Sequence, residues 1–120
     1  MHENVLIVDD SAFMRTMLKD ILKERFKNIH EAGDGRQAVE MYGRIKPDLV
    51  TMDMIMPSLN GIDAVREILK TDKDARILMV SAMGQQQLVD EALDAGARDF
   101  IIKPFQPDKV AETVGRVLGA

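Results

Sequence analysis

Short continuous runs of apolar residues alternate along this chain with segments in which apolar residues recur every three or four positions. Such runs are typical of strands buried on both faces, and the periodic segments are typical of helices with one buried face. The pattern predicts strands at residues 5–8, 28–32, 49–52, 77–80 and 100–102. It predicts helices over residues 12–25, 38–45, 62–69 and 88–93, with a last helix beginning near residue 108.

The order of these elements is a strand followed by a helix, five times over. Strands that alternate with helices form a parallel sheet covered on both faces, and the crossovers between them are right-handed. We therefore predict an α/β protein with a single-domain, doubly wound (βα)5 fold and a five-stranded parallel sheet. A length of 120 residues fits one domain, which we assign to residues 1–120.

Composition excludes several classes of function. The chain has no cysteine and hence no disulfide or thiolate metal ligand, and its net charge of −4 provides no basic surface for nucleic acid. No apolar run approaches the ~20 residues of a membrane span, and the first four residues lack the features of a signal peptide. We expect a cytoplasmic monomer with neither nucleic-acid nor membrane partners.

Polar residues follow four of the predicted strands, each at the carboxyl end. Asp9 and Asp10 follow the first strand, Asp53 the third, Ser81 the fourth and Lys103 the fifth. In doubly wound folds these ends share one edge of the sheet, and ligands bind outside that edge where the strand order reverses. Each residue alone could be a helix cap or a solvated charge, but their shared position at strand ends indicates a site.

This set of side chains suits phosphoryl transfer. Three carboxylates in one small space repel one another unless a cation intervenes, and hard oxygen ligands suit Mg²⁺ together with phosphate oxygens. A lysine and a hydroxyl beside them would hold an anion. Asp53 fits the role of nucleophile best, because it stands alone between the acid pair and the Ser81–Lys103 pair, and carboxylates do form aspartyl phosphates.

Five segments carry a family resemblance: residues 6–11 (LIVDDS), 48–57 (DLVTMDMIMP), 60–61 (NG), 80–82 (VSA) and 103–105 (KPF). With these segments in this order and at this spacing, the chain resembles bacterial two-component response-regulator receiver domains over essentially its whole length. Within that family it is similar to the single-domain chemotaxis regulators of Gram-positive and thermophilic bacteria.

The resemblance implies a role for each site residue. Asp53 would accept the phosphoryl group. Mg²⁺ would be bound by the side chains of Asp10 and Asp53 and by the backbone carbonyl of Ile55, with Asp9 acting partly through water. Lys103 would pair with the phosphoryl oxygens.

The resemblance also implies a flavodoxin-like fold, with its strand order, and a switch. The order 2-1-3-4-5 would place the acid pair beside Asp53, and the Lys103–Pro104 peptide bond would be cis. After phosphorylation, Ser81 would move toward the phosphoryl group and Phe100 would fill the vacated space. The face formed by the fourth helix, the fifth strand and the fifth helix would then change. The residues expected to contact a partner on that face are Val89, Phe100 and Ile102.

The function that follows from the resemblance is a chemotaxis response regulator, primarily a signalling switch that assists its own phosphorylation and dephosphorylation. Its partners would be a histidine kinase, an aspartyl-phosphate phosphatase and the flagellar motor switch protein. One alternative is a single-domain relay or phosphate sink in another two-component pathway, and a second is a receiver unit cut from a longer regulator. A flavodoxin-like cofactor protein is disfavoured, because acids follow the first strand where a flavin phosphate would need backbone amides.

Overall fold

The computed structural model describes residues 2–119, which form five strands and five helices in strict alternation. The strands are β1 (His2–Val8), β2 (Phe26–Ala32), β3 (Leu49–Met52), β4 (Ile77–Ser81) and β5 (Asp99–Ile102). The helices are α1 (Ala12–Leu22), α2 (Gly35–Ile45), α3 (Gly61–Thr71), α4 (Gln86–Ala95) and α5 (Pro107–Val117). The predicted alternating α/β architecture is confirmed.

The sheet is entirely parallel, with the order β2-β1-β3-β4-β5. Strand β1 lies inside the sheet, between β2 and β3, and β2 is an edge strand. The chain first adds β2 on one side of β1 and then places β3 on the other, so the strand order reverses between β1 and β3. The residues that follow these two strands are therefore neighbours at the carboxyl edge.

Alternate side chains of the inner strands face two separate cores. On one face, Leu6, Val8, Val50 and Met52 pack beneath α2, α3 and α4. On the other face, the apolar side chains lie beneath α1 and α5, and they are Val5, Ile7, Leu49, Leu78 and Val80. Because both faces are covered, the inner strands are apolar at successive positions rather than at alternate ones. Within residues 2–119, every helix is too short or too polar to cross a bilayer.

Three helices begin at polar N-caps that the sequence supplies directly. The side chains of Ser11, Asp34 and Asn60 each accept the backbone N–H three residues further on, at the starts of α1, α2 and α3. Ser11 directly follows the acid pair, and Asn60 directly precedes Gly61. Each of these three helices follows the carboxyl end of a strand, so all three caps lie at the carboxyl edge of the sheet.

The element boundaries differ from the predictions where backbone pairing, rather than hydrophobicity, decides them. Helix α1 ends at Leu22 instead of near residue 25, because the chain turns early into β2, whose first residue, Phe26, is buried. Strand β1 starts at His2 instead of residue 5, since its polar start pairs with β2 through the backbone. Helix α5 starts at Pro107, a residue favoured in the first turn of a helix.

Candidate functional site

The ends of β1 and β3 bring three acids together. Asp9 and Asp53 follow these strands and are 1% and 8% exposed, whereas Asp10 is exposed. One carboxylate oxygen from each of the three residues lies within 4.8 Å of those of the other two. Since Asp9 and Asp53 are withdrawn from water, their charges require compensation from neighbouring groups.

Lys103 supplies part of that compensation from the end of β5. Its Nζ atom donates to Asp9 Oδ2 at 2.6 Å and lies 3.4 Å from Asp53 Oδ2. The lysine side chain is only 14% exposed, so solvent screens these ion pairs weakly. The Lys103–Pro104 peptide bond that orients the lysine is cis, in agreement with the family pattern.

The remaining oxygens of the two buried carboxylates are held by the backbone. Asp53 Oδ1 accepts the N–H of Met54 at 2.8 Å, and Asp9 Oδ1 accepts the N–H of Ser11 at 2.9 Å. Each carboxylate therefore has one oxygen fixed by its own loop and one facing Lys103. These bonds hold both carboxylates in a defined orientation.

The charge balance leaves Asp53 in an unfavourable environment for a carboxylate. Burial raises the pKa of the Asp53 carboxyl above its ordinary value; Lys103 lowers it, Asp9 raises it, and the Ser81 hydroxyl lowers it. Burial and the neighbouring acid thus outweigh the single lysine. A second cation among the three acids would correct this imbalance.

The donor set fits a hard divalent cation. It consists of carboxylate oxygens from three residues, close enough together to share one ion, and the exposed Asp10 gives the cluster access to solvent. Oxygen ligands of this kind are preferred by Mg²⁺, which usually keeps several waters. The backbone carbonyl of Ile55 belongs to the loop that follows Asp53, and its role as a ligand stays a prediction.

Ser81 lies at the end of β4 and is buried. Its hydroxyl accepts the N–H of Met83 at 3.3 Å and faces Asp53. The loop that follows Ser81 packs against β5, because a Cβ added at Gly84 would lie 2.7 Å from Cδ1 of Ile102. Gly84 therefore lies directly against the Ile102 side chain.

A groove of about 260 Å³ opens beside the acids, between the loops that follow β3 and β4. Five apolar and four polar side chains line it, and they are Met54, Ile55, Ile62, Met83 and Leu88 together with Asn60, Asp63, Arg66 and Glu91. Ile55 is 60% exposed. The two groove residues that directly follow Asp53, Met54 and Ile55, are both apolar.

The three residues expected to contact a partner lie on α4 and β5. Val89 is half-buried on α4, Phe100 is partly buried against the core beneath α2, α3 and α4, and Ile102 is exposed. Phe100 and Ile102 are alternate residues of one strand. This surface is continuous through Gly84 with the loop that follows Ser81.

Two residues with close contacts to the site were not singled out for it from the sequence. A Cβ on Gly61 would lie 2.0 Å from the carbonyl oxygen of Asp53, and the Gly61 N–H donates to the Met54 carbonyl at 2.7 Å. The Asn60–Gly61 pair is one of the segments that carry the family resemblance, but no contact with Asp53 was predicted for it. Arg15, on α1, donates to the carbonyl oxygen of Asp9 at 2.6 Å, a contact with a backbone atom that leaves no sequence pattern.

Comparison with known proteins agrees with this geometry. Residues 5–115 match the family described as the response regulator receiver domain. The chain is 58% identical to the chemotaxis protein CheY of Thermotoga maritima, with 98% of each chain covered. It is 56% identical to the chemotaxis protein CheY of Bacillus subtilis, over 98% of this chain and 99% of the relative.

Solved structures give the same result. The CheY chain in a CheX–CheY complex with BeF₃ and Mg²⁺ from Borrelia burgdorferi superposes with a TM-score of 0.91 at 44% identity. That match covers 95% of this chain and 87% of the other. The chain belongs to the response-regulator receiver domain family of two-component systems. Within that family it is closely related to the CheY chemotaxis regulators.

Proposed function

We propose that this chain is a chemotaxis response regulator that accepts a phosphoryl group on Asp53 in the presence of Mg²⁺. The observation that carries the proposal is the cluster of three carboxylates with Lys103 between the two buried ones. The names of its relatives from Thermotoga maritima and Bacillus subtilis support chemotaxis as the pathway. The related Borrelia burgdorferi chain, solved with BeF₃ and Mg²⁺, supports the metal.

Mg²⁺ would be held by Asp10, Asp53 and the Ile55 carbonyl, with Asp9 acting partly through water, and would neutralise charge on the incoming phosphoryl oxygens. The protein's own contribution is orientation. The Met54 N–H holds one oxygen of Asp53, and the Lys103 ammonium is placed to exchange its contact with Asp53 for the phosphoryl oxygens. Ser81 is placed to donate its hydroxyl hydrogen to the same group.

The transfer step forms a bond between a carboxylate oxygen of Asp53 and phosphorus. The bond that breaks joins phosphorus to the imidazole nitrogen of a phosphorylated histidine in the kinase. The leaving nitrogen takes up a proton, and the product is an aspartyl phosphate with no change in oxidation state. Asp53 must be ionised to attack, so the positive charge around it favours reaction as well as binding.

The test is phosphorylation by a small acyl-phosphate donor with Mg²⁺, followed by intact-mass analysis. The wild-type chain should gain one phosphoryl group, and Asp53→Asn should gain none. Asp20→Asn, which alters an exposed acid on α1, is the matched control and should react like the wild type. Stable labelling of Asp53→Asn at another residue would contradict the assignment.

Output is proposed to occur through the surface formed by α4, β5 and α5. Phosphorylation at Asp53 would draw Ser81 inward, and the contact of Gly84 with Ile102 would carry that movement to the surface. The proposed partner is a flagellar motor switch protein, and the phosphorylated chain should bind a motor-switch peptide more tightly than the unmodified chain. Equal binding of the two forms would instead favour a relay or phosphate sink.

Partners at the site itself are proposed to be a histidine kinase and an aspartyl-phosphate phosphatase. The related Borrelia burgdorferi chain is solved in complex with a second protein, CheX, and this supports a partner that acts on the phosphorylated form. Ile55 is a large apolar side chain that is mostly exposed next to Asp53, which is unusual for a site open to water alone. A docking protein would cover it.

A further inference from the structure

We infer that Arg15 is a positioning residue for the acid pair, and that its two-pronged contact sets the affinity of the site for Mg²⁺. This inference rests on the proposed function, since it concerns the metal that the acids would hold. Arg15 lies on α1 and contacts the backbone of Asp9 and the side chain of Glu31 on β2, and the sequence had given it no role in the site. Arg15 touches neither Asp53 nor Lys103 through any hydrogen bond among residues 2–119.

Arg15 joins three elements with one guanidinium group. Its Nη1 atom donates to the backbone carbonyl oxygen of Asp9 at 2.6 Å, and its Nε atom donates to Glu31 Oε1 at 3.0 Å. The backbone N–H of Arg15 donates to the carbonyl of Ser11 at 3.0 Å, which ties the residue to the start of α1. The side chain is only 20% exposed, so this geometry is partly shielded from water.

The carbonyl that Arg15 holds belongs to the peptide unit that joins Asp9 to Asp10. Because a peptide unit is planar, fixing the direction of this oxygen fixes the plane that carries the N and Cα atoms of Asp10. The preceding peptide unit is already held, since the Asp9 N–H donates to the carbonyl of Ala32 in β2 at 3.1 Å. With Arg15 in place, the backbone of Asp9 is therefore fixed on both sides.

Asp10 has few other constraints. It is exposed, and the hydrogen bonds that hold the Asp9 and Asp53 carboxylates do not include it. The direction in which Asp10 presents its carboxylate thus depends on the backbone that precedes it. Mg²⁺ demands near-ideal octahedral geometry, so a rotation of this peptide unit would weaken the metal site.

Charge and geometry make opposite predictions for Arg15. Its positive charge lies near the proposed metal, so on charge alone its removal would tighten Mg²⁺ binding. If Arg15 acts by positioning, its removal must weaken binding despite the loss of that repulsion. Lysine keeps the charge but lacks the planar fork that spans the Asp9 carbonyl and Glu31 together.

The experiment is a titration of the purified chain with Mg²⁺. Binding is measured by calorimetry and by the amide NMR shifts of residues 9–11. Arg15→Lys and Arg15→Gln should each raise the dissociation constant about tenfold, as is typical when a residue that orients metal ligands is lost. Lys19→Gln is the matched control. Lys19 pairs with the same Glu31 at 3.9 Å, so the substitution removes a nearby positive charge without touching Asp9, and Mg²⁺ affinity should not fall.

Unfolding temperatures measured in EDTA show whether each variant is folded at the titration temperature. If Arg15→Gln is unfolded there, the test rests on Arg15→Lys. Normal or tighter Mg²⁺ binding by either folded Arg15 variant would overturn the positioning role and leave the proposed function intact. Asp10→Asn, which removes a ligand outright, should lose most of the binding. A wild-type chain that does not bind Mg²⁺ would overturn both proposals.

Discussion

Burial raises the pKa of the Asp53 carboxyl, and the sign of this shift predicts how stability depends on pH in the absence of metal. A raised pKa means that the folded state holds the proton more tightly than the unfolded state. Stability therefore falls as the pH rises from the ordinary aspartate pKa of about 4 through the raised value. Above that range, the ionised Asp53 carboxylate destabilises the metal-free fold.

Asp53→Asn should therefore stabilise the protein in EDTA at pH values above that range, because asparagine has nearly the same shape without the charge. The gain should shrink as the pH is lowered toward 4 and below. Thermal unfolding of both chains across this pH range provides the measurement. With Mg²⁺ present, the wild type should be more stable than Asp53→Asn. Only the wild type has the full set of metal ligands, so metal binding stabilises it more. A gain that is independent of pH would contradict this account.

At the scale of single residues, the sequence located the acids and the lysine because each follows a strand whose apolar run is easy to recognise. The contacts that constrain these side chains were not predictable. The Arg15 contact ends on a backbone carbonyl and the Asp53 contact on a backbone N–H, and every residue carries such groups. A pattern of side chains therefore cannot indicate which of them will be used.

At the scale of elements, α3 approaches β3 so closely that only glycine fits at its first position. Gly61→Ala would place a Cβ atom 2.0 Å from the Asp53 carbonyl oxygen, a backbone atom that cannot move without shifting the site. We expect a loss of roughly 2–4 kcal/mol in unfolding free energy and a lower rate of phosphorylation. Denaturant unfolding and the rate of phosphoryl uptake are the two measurements.

Gly43→Ala is the matched control for that substitution. Gly43 lies within α2, and no atom lies within 4 Å of its added Cβ. Alanine there should stabilise the helix by about 0.5–1 kcal/mol. If both glycines responded alike, crowding at Asp53 would not be the cause of the Gly61 effect.

The apolar side chains in the loops after β3 and β4 lead us to expect a long-lived aspartyl phosphate. Ile55 and Met83 line one groove beside the site, and neither side chain can orient a water molecule for attack on phosphorus. Ile55→Asn and Met83→Glu should each speed the decay of the aspartyl phosphate about tenfold, well below the ~10²–10⁴ of a fully positioned acid or base. Decay is followed by mass spectrometry after removal of the donor.

Leu93→Asn is the control for the loop substitutions, because Leu93 is an exposed apolar residue of α4 outside the lining of that groove. The aspartyl phosphate of Leu93→Asn should decay at the same rate as that of the wild type. Unchanged decay in both Ile55→Asn and Met83→Glu would mean that these side chains do not limit the access of water.

The number, type and order of the elements followed from the sequence, because hydrophobic burial produces both the continuous runs and the helical spacing. The start of β1 did not, since polar residues there are held by the backbone ladder, and the start of β2 at Phe26 did not, because the polar residues 27 and 28 separate this buried side chain from the rest of the strand's pattern. The close approach of Gly61 to Asp53 depends on how α3 packs on the sheet, a relation between distant elements that local spacing does not encode.

At the scale of the whole molecule, Lys103 connects the last strand to the first. Lys103→Met removes the ammonium while keeping much of the apolar stem, and it leaves Asp9 buried with its charge uncompensated. We expect a loss of about 3 kcal/mol in EDTA, the size typical of breaking a buried ion pair, and a partial recovery with Mg²⁺. Equilibrium unfolding with and without the metal tests both statements.

Lys70→Met is the matched substitution in an exposed pair, since Lys70 contacts Glu67 within α3 and both side chains are open to solvent. It should change stability by less than about 0.5 kcal/mol. A similar small effect for Lys103→Met would show that Asp9 finds another partner, and it would argue against Lys103 as the chief counter-charge of the buried acids.

The bond between Lys103 and Asp9 joins residues 94 positions apart, and this has a consequence for biosynthesis. A ribosome that adds about 5–20 residues per second delivers Lys103 roughly 5–20 s after Asp9. During that interval, a nascent chain that has paired β1 with β3 holds Asp9 and Asp53 side by side with no lysine between them. The carboxyl edge of the growing sheet is then a region of net repulsion. Dissolved cations are the charges available to relieve it until β5 emerges.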